Sequence, residues 1–270
     1  MRIAAVQMVT GQDITENLAQ ASAQVREAAA RGARLIVLPE ATSQAFDTGR
    51  LDSQAQGLDG DFATGLRELA AELDVVVVAG MFRPADTVEN DQGKSIHRVY
   101  NTALVTGAGL HTGYDKINTY DAFNYRESDT VHPGEEPLVV EIDGVGVGVA
   151  VCYDVRFPEL FIRMARQGAK IIAVPTSWAD GAGKLEQWRT LTAARALDST
   201  SVIVAAGQAR PGGADQAGQE SGPTGIGHSA VVAANGRRLA EAGYEPEILV
   251  VDVDVAEIDK VRRALPVLGL

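Results

Sequence analysis

Three side chains in this 270-residue sequence fall where strands are expected to end and are of the types that acyl transfer needs: Glu40, Lys116 and Cys152. Cys152, the sole cysteine, follows the apolar run Val145 to Val151 and opens the polar stretch Tyr153-Asp154-Val155-Arg156. At the end of a parallel-type strand its thiol would point into the crevice where open α/β sheets hold ligands. A free thiol has a pKa of about 8.5, so it needs a base or a positive field to act at neutral pH. None of the four histidines, His97, His111, His132 and His228, carries a matching signal. Glu40 closes Leu38-Pro39-Glu40 beyond a buried strand, and Lys116 closes Gly113-Tyr114-Asp115-Lys116. Together they are nucleophile, proton shuttle and fixed cation, the set for acyl transfer without histidine. Each alone has a plain alternative: Cys152 as a small core residue, Glu40 as a surface loop acid, Lys116 as an exposed edge-strand lysine.

Those strand ends need a frame. Arg2 to Met8 alternates as a strand, Ile14 to Arg31 reads as a helix stopped by Gly32, and Arg34 to Leu38 reads as the next strand. Leu18, Ala21, Val25 and Ala28 recur at three and four residue steps, a narrow apolar stripe that can pack on a sheet. Asp61 is the candidate N-cap of a helix over Phe62 to Leu73, before the buried strand Val75 to Ala79. Ala85 to Ser95 reads as a polar loop, and His97 to Thr106 with Leu110 to Lys116 as a hairpin about Gly107-Ala108-Gly109.

The second half repeats the opening: strand Val145 to Val151, helix Pro158 to Gln167, strand Lys170 to Val174, helix Lys184 to Asp198, strand Val202 to Ala206. Gly207 to Gly227 is a long loop, expected to border a site or to order upon assembly. Strands His228 to Ala233 and Ile248 to Val253, with a turn at Asn235-Gly236, lead to a short helix ending near Ala264. The segments Gly32 to Glu40 and Gly168 to Thr176 match as helix stop, buried strand and proline exit. This reads as an α/β fold with pseudo-twofold symmetry, with chance convergence of two βαβ units as the alternative. Trp178 is a candidate pocket wall or a packing residue, and Trp188 reads as helix packing. Asp154 and Arg156 are expected to pair and stiffen the turn after Cys152, unless Arg156 meets a substrate carboxylate. Phe46, Phe123 and Tyr125 are candidates for the pocket mouth.

Composition narrows the function. Hydrophobic residues are 46% and charged residues 22%, which suits one globular domain spanning residues 1–270. A net charge of −12 without a basic stripe argues against nucleic acid. Apolar runs are strand-length, so no membrane-spanning helix is expected, and the start of the sequence shows no secretory signal. A single cysteine cannot make an internal disulfide, which agrees with a reducing cytoplasm. No metal or cofactor is called for: there is no ligand-spaced His or Cys cluster, and Gly144-Val145-Gly146-Val147-Gly148 alternates along a strand instead of opening a helix around phosphate.

The motifs, taken in order, resemble the nitrilase superfamily of carbon-nitrogen hydrolases. They are Ile3-Ala4-Ala5-Val6-Gln7, Leu38-Pro39-Glu40, Tyr114-Asp115-Lys116-Ile117, Arg126-Glu127, Pro133-Gly134, Cys152 to Glu159, Trp188, Arg195-Ala196, Gly227-His228-Ser229 and Leu265-Pro266-Val267. The form Cys152-Tyr153-Asp154-Val155-Arg156-Phe157-Pro158-Glu159 looks like the Nit amidase branch, close to omega-amidases. The resemblance implies an αββα sandwich that dimerises to αββααββα. It implies Glu40 as general base, Lys116 as cationic stabiliser, Cys152 as nucleophile and Glu127 as a second glutamate near the lysine. It further implies that the Tyr153 N–H completes an oxyanion hole with Lys116. Asn118 stands where this branch often has histidine, which would alter a hydrogen bond behind the lysine. The function expected is hydrolysis of a small carboxamide, such as a 2-oxo-dicarboxylate monoamide or a deaminated-peptide amide, through a cysteine thioester. An N-carbamoyl hydrolase, or an idle binding protein on the same fold, is the alternative.

Overall fold

In the computed structural model, which describes residues 1–90, 92–122 and 125–269, the chain opens with β1 (Arg2–Gln7), α1 (Ile14–Ala30), β2 (Leu35–Val37), α2 (Asp61–Leu73) and β3 (Val76–Glu89). It continues through β4 (Ser95–Gly107), β5 (Leu110–Asp115) and a two-strand ribbon, β6 (Asp121–Ala122) and β7 (Tyr125–Arg126). The second half holds β8 (Leu138–Ile142), β9 (Val145–Val149), α3 (Pro158–Arg166), β10 (Ala169–Thr176), α4 (Lys184–Ser199) and β11 (Val202–Gly207). Strands β12 (Ala230–Val232), β13 (Arg238–Glu241) and β14 (Glu247–Asp252) and helix α5 (Val255–Ala264) complete it.

Two six-stranded sheets result, ordered β14-β1-β2-β3-β4-β5 and β8-β9-β10-β11-β12-β13. In the first, β1, β2 and β3 are parallel and their flanking strands antiparallel. In the second, β9, β10 and β11 are parallel and flanked in the same way. Helices α1 and α2 make the first pair of crossovers and α3 and α4 the second, so the halves are related by a pseudo-twofold and β14 takes the place in its sheet that β8 takes in the other. The layers are those of an αββα sandwich.

The apolar runs are continuous because both faces of the central strands are covered. Ile3 and Ala5 of β1, Val37 of β2 and Val76 and Val78 of β3 face the second sheet, packing with Val147, Val149, Ile171 and Val204. The intervening Ala4, Val6, Ile36 and Val77 face the helices, against Ala21, Val25, Phe62 and Leu66. Helix α1 starts where the Asp13 carboxylate accepts from the N–H groups of Thr15 and Glu16, and stops at Gly32, whose φ is +83°. Its buried stripe contains Asn17 in place of the expected Leu18, which is only half-buried. Burying an unpaired amide would cost about 1–3 kcal/mol; Asn17 avoids this by bonding Gly11 N, Gly11 O and Ser43 O.

Other expectations need correction. Gly60, not Asp61, caps α2, and Asp61 is the first helical residue. Most of the expected loop 85–95 is strand: β3 and β4 run on together to Glu89 and Ser95. These hairpin arms are exposed or half-buried, and Asp86 and Arg98 pair across the strands, so polar composition there does not mean loop. Strand β8 was not anticipated. Among the described residues no helix is long and apolar enough to cross a membrane.

Candidate active site

Glu40 leaves the end of β2 through Pro39 and is held by close backbone approach to β3. A Cβ on Gly80 would lie 2.5 Å from both Glu40 Cα and Ala41 N, so only glycine fits there. Gly80 also donates to Pro39 O and accepts from Ser43 N, and Gln208 Nε2 donates to Glu40 O. Lys116 follows β5, its N–H donating to Asn101 O on β4 and its carbonyl accepting from Gly134 N. Gly134 is itself a close approach: a Cβ there would meet Asp115 O at 2.1 Å. Cys152 follows β9 at φ +44°, a conformation few non-glycine residues adopt, and starts a 3-10 turn through Arg156. Glu127 starts a second 3-10 turn after β7.

These four residues meet in one buried cluster. Lys116 Nζ donates to Glu127 Oε1 and Oε2 at 3.0 and 2.8 Å and to Glu40 Oε1 at 3.3 Å. Asn101 Nδ2 donates to Glu40 Oε1 at 2.8 Å and Glu127 Oε1 at 3.2 Å. The Tyr120 N–H donates to Glu127 Oε2 at 2.6 Å, and the Ser177 N–H to Glu40 Oε2 at 2.8 Å. Among the described residues Glu127 therefore accepts four hydrogen bonds, two on each oxygen, whereas Glu40 Oε1 accepts two and Oε2 one, so Oε2 keeps a lone pair for a further proton.

Charge follows from this geometry. Burial pulls the Lys116 pKa down, but the adjacent Glu127 and Glu40 carboxylates outweigh it and hold the ammonium. Burial pushes the Cys152 thiol well above its ordinary range, the Glu40 carboxylate pushes it further, and Lys116 offsets only part. The resting thiol is thus neutral, with the Glu40 carboxylate near enough to oppose its ionisation. Such a pair acts by proton transfer during attack, not by a standing thiolate.

The cluster opens into a cavity of about 520 Å³ whose wall includes Phe46, Tyr120, Tyr153, Trp178, Arg156 and Lys184. Among the described residues no histidine lines it. A cavity of this size suits a small-molecule substrate. The family model described as carbon-nitrogen hydrolase matches residues 2–263 of the chain. The chain belongs to the carbon-nitrogen hydrolase family. It is 44% identical to a hydrolase of Mycobacterium tuberculosis over 99% of this chain and 94% of that protein. It is 33% identical to the deaminated glutathione amidase of Escherichia coli O157:H7 over 100% of this chain and 96% of the relative. Among solved structures it resembles the amidase of Nesterenkonia sp. AN1, a nitrilase-superfamily protein, in a variant whose active-site cysteine has added to acrylamide. That match has a TM-score of 0.77 and 26% identity, covering 100% of both chains.

Within this carbon-nitrogen hydrolase the structure brings together all four residues singled out as catalytic, and puts Tyr153, Trp178, Arg156 and Phe46 on the same cavity. The long loop expected to border a site does so through Glu220, Ser221, Gly222 and Pro223. Phe123 lies outside the described residues, as does the side chain of Tyr125. The expected Asp154–Arg156 pair is a correction. Asp154 is fully buried, and its carboxylate accepts from Val151 N, Tyr114 Oη, Asn118 N and Asn118 Nδ2. It thereby ties the turn carrying Cys152 to the segment just after Lys116, and Asn118 supplies two of the four bonds. Arg156 instead donates to Gln187 and lies over the rings of Trp178 and Tyr153, at 5.0 and 5.7 Å. Trp188 packs as expected, donating to His228 O and stacking near Trp178.

Sequence reasoning missed Asn101, Tyr120 and Ser177. The signal for Asn101 was the lone amide in the largely apolar stretch Val99 to Val105 of β4, where Thr102 is the other buried polar residue. Tyr120 and Ser177 act on the glutamates through backbone N–H groups, which every non-proline residue has, so residue type carries no mark of them.

Proposed function

We propose that this chain is an amidase that cleaves the C–N bond of a small carboxamide through a thioester on Cys152. The observation that carries this reading is the unequal satisfaction of the two buried glutamates: Glu40, whose charge bears on the thiol, can still accept a proton, and Glu127 is saturated. Glu40 takes the thiol proton as sulfur attacks the amide carbonyl carbon. Lys116 and the Tyr153 N–H, which lies ahead of the first internal bond of the 3-10 turn from Asp154 N to Val151 O, stabilise the oxyanion. The intermediate collapses as Glu40 returns the proton to nitrogen, and ammonia leaves. Water then gives a proton to Glu40 and attacks the thioester; the C–S bond breaks, the carboxylic product departs, and the proton returns to Cys152. Glu127 keeps Lys116 oriented and charged.

Arg156 and Lys184 favour a substrate with a carboxylate remote from the amide, as in a dicarboxylate monoamide or a deaminated peptide amide. They line one cavity, and their mutual repulsion together with burial lowers the Lys184 pKa, so an anion between them is welcome, with burial the larger cause. A reducing, cytoplasmic setting suits chemistry that depends on one free thiol. The testing experiment is ammonia release from aliphatic, dicarboxylic and carbamoyl amides, with Cys152→Ala as control. Turnover of a dicarboxylic monoamide that disappears in the control supports the reading. Carbon dioxide from an N-carbamoyl amino acid would replace it with carbamoyl hydrolysis, and no Cys152-dependent turnover would leave a binding protein. The homodimer belongs to the same proposal and is read from a solution mass of twice 28.4 kDa.

A further inference from the structure

We propose that Asn101 is the positioning residue that divides the work of the two glutamates: its amide occupies one oxygen of each carboxylate and leaves the second oxygen of Glu40 to take the Cys152 proton. The proposal rests on the amidase reading above. Asn101 is completely buried on β4, and only it and Lys116, among the described residues, donate side-chain hydrogen bonds to both Glu40 and Glu127. The other donors serve one carboxylate each: Ser177 N for Glu40 and Tyr120 N for Glu127. Asn101 also accepts the Lys116 N–H through its carbonyl, so one residue sets the lysine backbone and both carboxylates.

The orientation of this amide is dictated by its surroundings. Turning it over would set Oδ1 against two carboxylate oxygens, which is repulsive. In the orientation found, Oδ1 is buried without a hydrogen-bond partner. Such an unmet acceptor is a cost that leucine, of similar shape, would not carry. What the site obtains from asparagine is the Nδ2 donor. It is neutral, so it quiets the repulsion between two carboxylates that share one ammonium without making the cluster cationic. Without it, that repulsion is most readily relieved by a proton on a glutamate, and a protonated Glu40 is no base. The charged groups facing the pair are Lys116 after β5 and, when ionised, Cys152 after β9. Arg156, Lys184, Asp180 and Glu220 lie farther along the cavity wall.

The test is the pH profile of Cys152 alkylation by iodoacetamide, measured beside kcat/KM for the best amide, in Asn101→Leu and Asn101→Ala. In Asn101→Leu the acid limb of both profiles is expected to move to higher pH by about one unit, so that alkylation at a pH on that limb falls about tenfold. Asn101→Ala admits water as a substitute donor, so its limb moves the same way by less. It also keeps the proposal testable if the leucine variant does not fold, as thermal melting reports. A residue that only packs would change the melt and leave the limb where it was. An acid limb in a folded variant that coincides with the parent overturns the role given to Asn101. If the parent itself neither alkylates at Cys152 nor releases ammonia, the amidase reading has failed first, and the two failures are thereby distinguishable.

Discussion

Replacing Glu40 with glutamine is expected to lower kcat for amide hydrolysis roughly 10²- to 10⁴-fold, the range for a removed general base, and to leave the protein folded. The size follows from the state of the nucleophile. Burial and the neighbouring carboxylate keep the Cys152 thiol protonated, so attack needs an acceptor in contact with it. Glu127 cannot take over, because both its oxygens are already occupied by Lys116, Asn101 and the Tyr120 N–H. Water is a poor substitute in so enclosed a cluster, where Glu40 is 1% exposed. Loss should appear in kcat as well as kcat/KM, since in the proposed mechanism the same carboxylate serves both formation and hydrolysis of the thioester. A Glu40→Gln enzyme that turns over its amide within tenfold of the parent would remove Glu40 from the role of base.

Lys116→Met should be the most destabilising substitution in the site, by about 3–5 kcal/mol at neutral pH. The lysine is 2% exposed and bonds both Glu40 and Glu127, which are about as deeply buried. Methionine fills much of the same space, so the cost is two uncompensated buried carboxylates, not a cavity. The variant should also acquire a distinctive pH dependence. With no ammonium, its folded state binds a proton on a carboxylate more tightly than the unfolded chain, whose glutamates titrate near about pH 4.3. Stability is then greatest in mild acid and falls as pH rises above that value. The parent behaves otherwise at this site: the raised Lys116 pKa means that its contribution is complete below the ordinary lysine value of 10.5 and is lost only as pH climbs through the folded value. Urea unfolding of both proteins at mildly acidic and neutral pH makes the comparison, and parallel curves would sink the prediction.

Glu40, Lys116 and Cys152 were legible because each ends a stretch that a sheet must bury and the three together are the types that acyl transfer needs. The parallel βαβ repeats were legible for the same reason: apolar strands covered on both faces have a continuous pattern that polar helices interrupt. Asp154 was misread because a carboxylate two residues from an arginine suggests a pair, whereas side chains at that spacing on a helical turn diverge. The carboxylate turned inward to Tyr114, Asn118 and the backbone, and the arginine outward over aromatic rings. The arms of β3 and β4 were taken as loop because composition reports burial more directly than hydrogen bonding, and an exposed ribbon can pair its backbone while carrying polar side chains. Asn101 marks the deeper limit: its importance lies in two acceptors contributed by residues 61 positions before it and 26 after it, which no local pattern conveys.

The placement of β14 beside β1 has a consequence for how the molecule is made. Every residue from Ile3 to Val6 is completely buried, and the β1 edge is sealed only when Glu247–Asp252 pairs with Arg2–Gln7. Roughly 240 residues separate the two strands, so at translation rates of about 5–20 residues per second a nascent chain carries an open apolar edge for roughly 10–50 seconds. During that interval the edge is a template for pairing with other chains. Truncations that remove β14 should therefore yield insoluble protein even though Glu40, Lys116, Glu127 and Cys152 are all present, and co-expression with a holdase chaperone should matter most for the first half of the sheet.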